Sequence, residues 1–197
     1  MLVLIKGAGD LATGTAVRLY RAGIKVVMTE VAQPTAVRRT VAFSQCMYDG
    51  AAQVEGISAR RAEDAGAARR ALERGEVPVL CDPEAAILRE LSFDGVVDAI
   101  LAKRNLGTAI TDAPVVLALG PGFTAGVDCH GVVETMRGHN LGRLLTQGSA
   151  APNTGVPGDV GGYTTQRIIR APADGAFEPL AAIGQRVEEG QPVARVA

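Results

Sequence analysis

The chain has no tryptophan, only 4% aromatic residues and just three cysteines. Each shortage narrows what it can be. Few aromatics leave no platform on which nucleic-acid bases could stack, and a formal net charge of −1 supplies no field to attract nucleic acid or an anionic membrane. Cys46, Cys81 and Cys129 are odd in number, far apart and without a C-x-x-C pair. That pattern fits a reducing cytoplasm and argues against a disulfide framework or a structural zinc site. No apolar run approaches membrane-spanning length. The short run at the N-terminus is bracketed by Lys6 and Asp10, which suits a strand better than a signal peptide. Partners are therefore expected among small molecules and proteins. At 197 residues, 47% hydrophobic and 21% charged, the chain can form one large globular domain or one domain with a small appendage.

What the chain does have is concentrated at its start. Leu2-Val3-Leu4-Ile5 reads as a buried parallel strand. It runs into Gly7-Ala8-Gly9-Asp10-Leu11-Ala12 and an amphipathic segment ending near Ala22. Gly7 permits a tight turn, and Gly9 lets a ligand phosphate approach backbone N–H groups at the positive end of the helix. Ala12 is the small residue where helix and strand pack closely. A second strand, Lys25 to Thr29, ends in Glu30, an acid placed to accept hydrogen bonds from ribose hydroxyls. These parts predict a Rossmann-like fold with a nucleotide or pterin-type ligand. The competing reading is a doubly wound domain whose glycine turn is only a corner.

Further along, Gln33-Pro34-Thr35 is expected to open a helix running through Arg38 and Arg39 to Tyr48, with Asp49-Gly50 ending it. Ile57 to Arg61 reads as a short strand, Asp64 as the cap of a helix stopping at Gly75, and Val77 to Leu80 as the next strand. A helix from Glu84 to Leu91 then precedes a strand from Val96 to Leu101. Strands alternating with helices imply an α/β fold with a parallel sheet, placed at residues 1–106. Residues 107–166 form a glycine-rich β region expected to complete the site, including the Gly/Pro-rich loop Ala151 to Gly162. Residues 167–197, through "GQRVEEGQPVARV", resemble half of a biotinyl or lipoyl type barrel-sandwich hybrid. No lysine follows Lys103, so this is expected to be a structural module, not a carrier arm. Half a barrel leaves strand edges uncovered. The chain is expected either to be cut short here or to complete the unit with a second copy as a homo-oligomer.

Three stretches together resemble a known family: "KGAGDLATGTAVRLYRAGIKVVMTEVAQPTAVRRTVAFSQCMYDG", "DAILAKRNLGTAITDAPVVLALGPGFTAGVDCHGVVETMRGHNLGR" and "SAAPNTGVPGDVGGYTTQRIIRAPADG". They resemble the YqeB-type accessory proteins of selenium-dependent molybdenum hydroxylases, relatives of the xanthine dehydrogenase accessory (XdhC-like) proteins. The resemblance implies a Rossmann-type cytoplasmic protein that holds molybdenum cofactor, in its molybdopterin or nucleotide form, or helps its sulfuration before insertion into the apo-hydroxylase.

Such a ligand needs backbone donors for phosphate, an acid for ribose or pterin N–H groups, and cations for the remaining oxygens. Gly7, Gly9 and Asp10 are the phosphate candidates, with the Asp10 carboxylate read as a helix cap because it would otherwise repel the ligand. Glu30 is the acceptor. Arg38 and Arg39 are helical neighbours, of which at most one faces the site. Lys103, Arg104 and Asn105 follow a predicted strand's carboxyl end, where ligands bind in open α/β sheets; a solvated turn is the alternative. Gly120 and Gly122 offer a second backbone nest for an anion, or a simple turn. His130 and Glu134 share a strand face, and with His139 they are the candidates for acid–base work, without the ligand spacing of a metal site. Cys81 alone keeps a thiol role at a strand end; the other two read as buried small residues. The rival class is an NAD(P)-dependent oxidoreductase using Gly7, Gly9 and Glu30. No Tyr-x-x-x-Lys pair follows the second strand, which favours a cofactor-binding maturation protein over a dehydrogenase.

Overall fold

A computed structural model describes all residues, 1–197, and divides them into two units, Met1–Asn153 and Thr154–Ala197. In the first unit, β1 (Leu2–Lys6), α1 (Asp10–Arg21) and β2 (Lys25–Glu30) lie where the apolar runs and the glycine turn place them. After a short helix α2 (Cys46–Asp49) come a hairpin of β3 (Ala51–Val54) and β4 (Ile57–Ala62), then α3 (Ala65–Glu73) and β5 (Val77–Cys81). Asp64 caps α3, accepting the Ala67 N–H at 2.6 Å. Strands β6 (Gly95–Asp98), β7 (Val116–Leu119), β8 (Gly131–Val133) and β9 (Leu144–Leu145) complete the unit.

All nine strands form one sheet in the order β3-β4-β5-β2-β1-β6-β7-β8-β9. From β4 to β8 every pair is parallel, and only the edge strands β3 and β9 are antiparallel. The expected boundary at residue 106 falls inside this sheet, because β7 pairs with β6. Residues 107–153 thus extend the sheet. Side chains alternate along the inner strands, as a sheet buried on both faces requires. Val3, Ile5, Val26 and Met28 pack under α1 and Phe43, while Leu4, Val27 and Val96 pack on the opposite face with Ala65, Ala68 and Phe93. Small residues at Ala12 and Ala16, both fully buried, let α1 lie close to the sheet.

Three expected elements differ. The helix from 33 to 48 is instead a loop with two 3₁₀ turns, Arg39–Val41 and Phe43–Gln45, before α2. Ala42 is extended, which drives Phe43 into the core and frees two N–H groups for α1 and the turn before it: Phe43 donates to Thr13 Oγ1 (2.9 Å) and Ser44 to the Ala8 carbonyl (2.8 Å). A continuous helix would have consumed those donors internally. The helix from 84 to 91 shrinks to a 3₁₀ turn at Ala86–Arg89. Ala85 is left-handed, and the Asp82 carboxylate takes the Ala86 and Ile87 N–H groups at 2.9 Å each. The strand expected to reach Leu101 stops at Asp98, since Leu101 is also left-handed.

In the second unit, β10 (Phe177–Pro179) and β11 (Ala194–Val196) form a two-stranded antiparallel sheet. Of the expected half of a barrel-sandwich hybrid, the structure shows this one antiparallel pair. Phe177, Ile183 and Val187 are exposed, with no second layer packed over them.

Candidate functional site

At the carboxyl edge of the sheet, the ends of β1, β2 and β6 surround a cleft of about 360 Å³. Its floor is the turn after β1. Gly7 has φ +92°, and a Cβ there would lie 2.9 Å from the Ala99 carbonyl oxygen. Only glycine lets the chain leave β1 so close to β6. Gly9 differs: it has φ −64°, caps α1 without a side-chain bond, and a Cβ on it would meet nothing within 4 Å. The fold does not need glycine at this position. The space beside it belongs to the cleft, and the Gly9 and Asp10 N–H groups take no acceptor from the chain, leaving donors at the positive end of α1.

Glu30 stands across from the turn. Its carboxylate accepts the Ala8 N–H (2.9 Å) and the Val31 N–H (2.8 Å), so it fixes the turn as well as facing the cleft. Asp10 is not the helix cap expected of it. It lies in the first turn of α1, where its carboxylate accepts its neighbour's Leu11 N–H and pairs with Arg38. Arg38 sits in the loop whose Pro34, Thr35 and Ala36 line the cleft. An exposed ion pair of this kind is weak. Arg38 therefore offsets the Asp10 charge and can exchange Asp10 for another anion at small cost.

Other candidates are placed elsewhere. Leu101 lines the cleft, but the Lys103 and Arg104 side chains do not; both are exposed and without an ionic partner. Their backbone does meet the second glycine turn, since a Cβ on Gly122 would lie 2.6 Å from Arg104 Cα and one on Gly120 would lie 2.7 Å from Thr135 Oγ1. These glycines are explained by packing. Asn105 is occupied by its own turn: its amide donates to the Thr108 carbonyl (2.8 Å) and accepts the Gly107 and Thr108 N–H groups (2.9 and 2.8 Å).

The expected His130–Glu134 pairing does not occur. They flank β8 at opposite ends, and four strand residues span roughly 13 Å. His130 Nδ1 accepts the Val116 N–H (3.0 Å), and His139 is exposed in the turn beyond. Glu134 accepts the Met136 N–H (2.7 Å) and the Ala151 N–H (2.8 Å), and these bonds hold its carboxyl below the usual range. A carboxyl lowered by folding adds stability above its unfolded pKa of about 4.3 and loses it as pH falls through the folded value. The stability advantage of the native chain over Glu134→Gln is accordingly constant near pH 7 and shrinks below about pH 4 in urea titrations. A constant gap down to acid pH would remove Glu134 as the anchor of the Ala151 segment.

Burial pushes the Cys46 thiol up to about 12 and raises that of Cys129, so neither is reactive, while Cys81 is exposed at the end of β5. Sequence reading passed over Lys6, Asp98 and Thr108, which are 3%, 2% and 3% exposed behind the cleft. The available signal was a charged residue closing each of two apolar strands.

Together these features define an α/β chain with a large, mostly parallel mixed sheet, a small antiparallel one, and an open glycine corner at the sheet's carboxyl edge. It is 54% identical over 193 residues to the uncharacterized protein YqeB of Escherichia coli (strain K12). The aligned region is 98% of this chain but 36% of YqeB, so the chain spans about a third of that relative's length. No family model matches the chain, and no solved structure matches it. No helix is long and apolar enough to cross a membrane.

Proposed function

We propose that the chain binds a phosphorylated cofactor in the Gly7–Glu30 cleft and acts as an accessory factor for a molybdenum hydroxylase. In this reading it holds molybdopterin or its nucleotide form and aids sulfuration or insertion. One observation carries the binding half: at Gly9 a glycine that the fold does not require borders open space at unpaired helix N–H groups, opposite a fixed carboxylate. Strands β5-β2-β1-β6-β7-β8 also wind outward from β1 in the order of dinucleotide-binding sheets, with the cleft where the winding reverses. The assignment to molybdenum maturation rests on the sequence resemblance; the likeness to YqeB supports the kinship with YqeB-type proteins and nothing about molybdenum.

The residues fit such a group in part. Gly9 and Asp10 N–H groups would receive a phosphate, Arg38 would balance its charge, and Glu30 retains lone pairs for ribose or pterin donors. Bound cofactor would supply the metal and dithiolene chemistry that the hydroxylase later uses; the chain's own residues bind and orient it.

Glu30→Gln keeps the side chain's size but removes its charge. It is expected to weaken a nucleotide-bearing ligand by about 1 to 3 kcal/mol and a nucleotide-free pterin by less, as read by calorimetric titration. Equal losses would move Glu30 from ribose to pterin recognition. The outward-winding order and Glu30 equally suit NAD(P), so tighter binding of NAD(P) than of molybdenum cofactor would favour the oxidoreductase reading instead.

A further inference from the structure

The last inward-facing rung of the sheet on the side away from α1 is polar. Lys6 stands in register with Thr29 on β2 and with Asp98 on β6. All three are at least 97% buried, beyond a row of Leu4, Val27 and Val96. Lys6 Nζ donates to Thr108 Oγ1 (2.6 Å), and the Thr108 hydroxyl donates to Asp98 Oδ2 (2.6 Å). No carboxylate lies within ion-pair distance of Lys6, which thus reaches Asp98 only through that hydroxyl. Asp98 Oδ1 in turn accepts the Ile100 N–H (3.2 Å).

A buried charged rung is a poor device for stability, since apolar replacements of such groups are often neutral or stabilising. Its position suggests another use. Lys6 immediately precedes Gly7, and Asp98 immediately precedes Ala99, Ile100 and Leu101, so the two residues stand behind the floor and the adjoining wall of the same cleft. Thr108 closes the loop between them. That loop includes two non-glycine residues in the left-handed region, Leu101 at φ 60° and Lys103 at φ 64°, a conformation that persists only where the surroundings impose it. Asn105 ties the far side of the loop to Thr108.

We propose that Lys6, Thr108 and Asp98 form a positioning unit that sets the distance between the Gly7 turn and the Ala99–Leu101 wall, and so the affinity of the cleft for a phosphate- and ribose-bearing ligand. The ligand half of this inference rests on the proposed function; the positioning half does not. None of the three residues touches the ligand. Thr108 is the pivot, because its hydroxyl alone joins the cation to the anion.

The test compares Thr108→Val, which keeps shape and removes the hydroxyl, with Thr108→Ser, which restores it. A third variant, Lys6→Met/Asp98→Leu/Thr108→Val, removes all three members of the unit at once and leaves no buried charge unpaired, so it reports even if Thr108→Val alone fails to fold. Hydrogen exchange of the amides of Gly107 and residue 108, both held by the Asn105 side chain, is read without ligand, and binding of ADP is read by calorimetry. Exchange is expected to rise about tenfold or more in Thr108→Val and in the triple variant, with return to near the native rate in Thr108→Ser. ADP affinity should fall by a similar factor in the same two variants and recover in Thr108→Ser. Unchanged exchange in the folded triple variant would overturn the positioning unit. Faster exchange with unchanged ADP affinity would overturn its link to the cleft. If the native chain binds no ADP, the ligand reading fails at its own step, while hydrogen exchange still decides the positioning unit.

Discussion

Replacing Gly9 with valine is expected to abolish cofactor binding while leaving the chain folded. The backbone at Gly9 is one that any residue adopts, and a Cβ there meets no atom within 4 Å, so no protein group has to move. Losing glycine at a helix N-cap costs about 1 kcal/mol or less. The valine methyls would fill the space through which a phosphate reaches the Gly9 and Asp10 N–H groups. Affinity should fall by about a hundredfold or more, the scale for losing charge-assisted backbone contacts to an anion. Circular dichroism and the urea midpoint should stay close to native. Native-like affinity in this variant would show that the open corner is not the phosphate site.

Gly7→Ala is expected to do the reverse and strike the fold first. At φ +92° an L residue is strained, and the new Cβ would press against the Ala99 carbonyl and the Ile100 backbone, which follow directly on β6 and cannot swing aside as a side chain can. Positive φ and forced overpacking together predict a loss of about 2 to 5 kcal/mol. Urea unfolding checks this through a lower midpoint at unchanged slope. A shift below about 0.5 kcal/mol would mean that β1 and β6 do not approach as closely as described. Two glycines separated by one residue thus carry different duties, one to the backbone and one to the cleft.

That difference could not be read from the sequence. The strand, turn, helix, strand and acid from Leu2 to Glu30 were legible because each has a local cause: a two-faced apolar run, glycine at the turn, small residues under the helix. The ends of β6 and the loop from 33 to 45 were not. Both depend on partners far along the chain, the first on Thr108 and the Gly122 turn, the second on Thr13 and Ala8. The His130–Glu134 pairing failed because alternation sets a face but not a strand's length, and β8 ends before Glu134. Asp10 was expected to cap its own helix, yet the loop from 33 to 41 supplies Arg38 as its counter-charge. Lys103 and Arg104 lie on a loop that borders the cleft, yet neither lines it. A shared site in which both cations neutralise the ligand is therefore not formed as expected, and Arg38 takes that place in the proposal.

In the proposed function, the cleft beside Gly9 and Glu30 holds a phosphorylated cofactor. Native mass spectrometry of the purified chain, mixed separately with molybdenum cofactor, ADP and NAD, tests it most directly when run in parallel on Gly9→Val. A one-to-one adduct of molybdenum cofactor with the native chain, stronger than that of NAD, is expected, and none with Gly9→Val. The absence of any adduct with the folded native chain, or an adduct that Gly9→Val retains in equal amount, would contradict it.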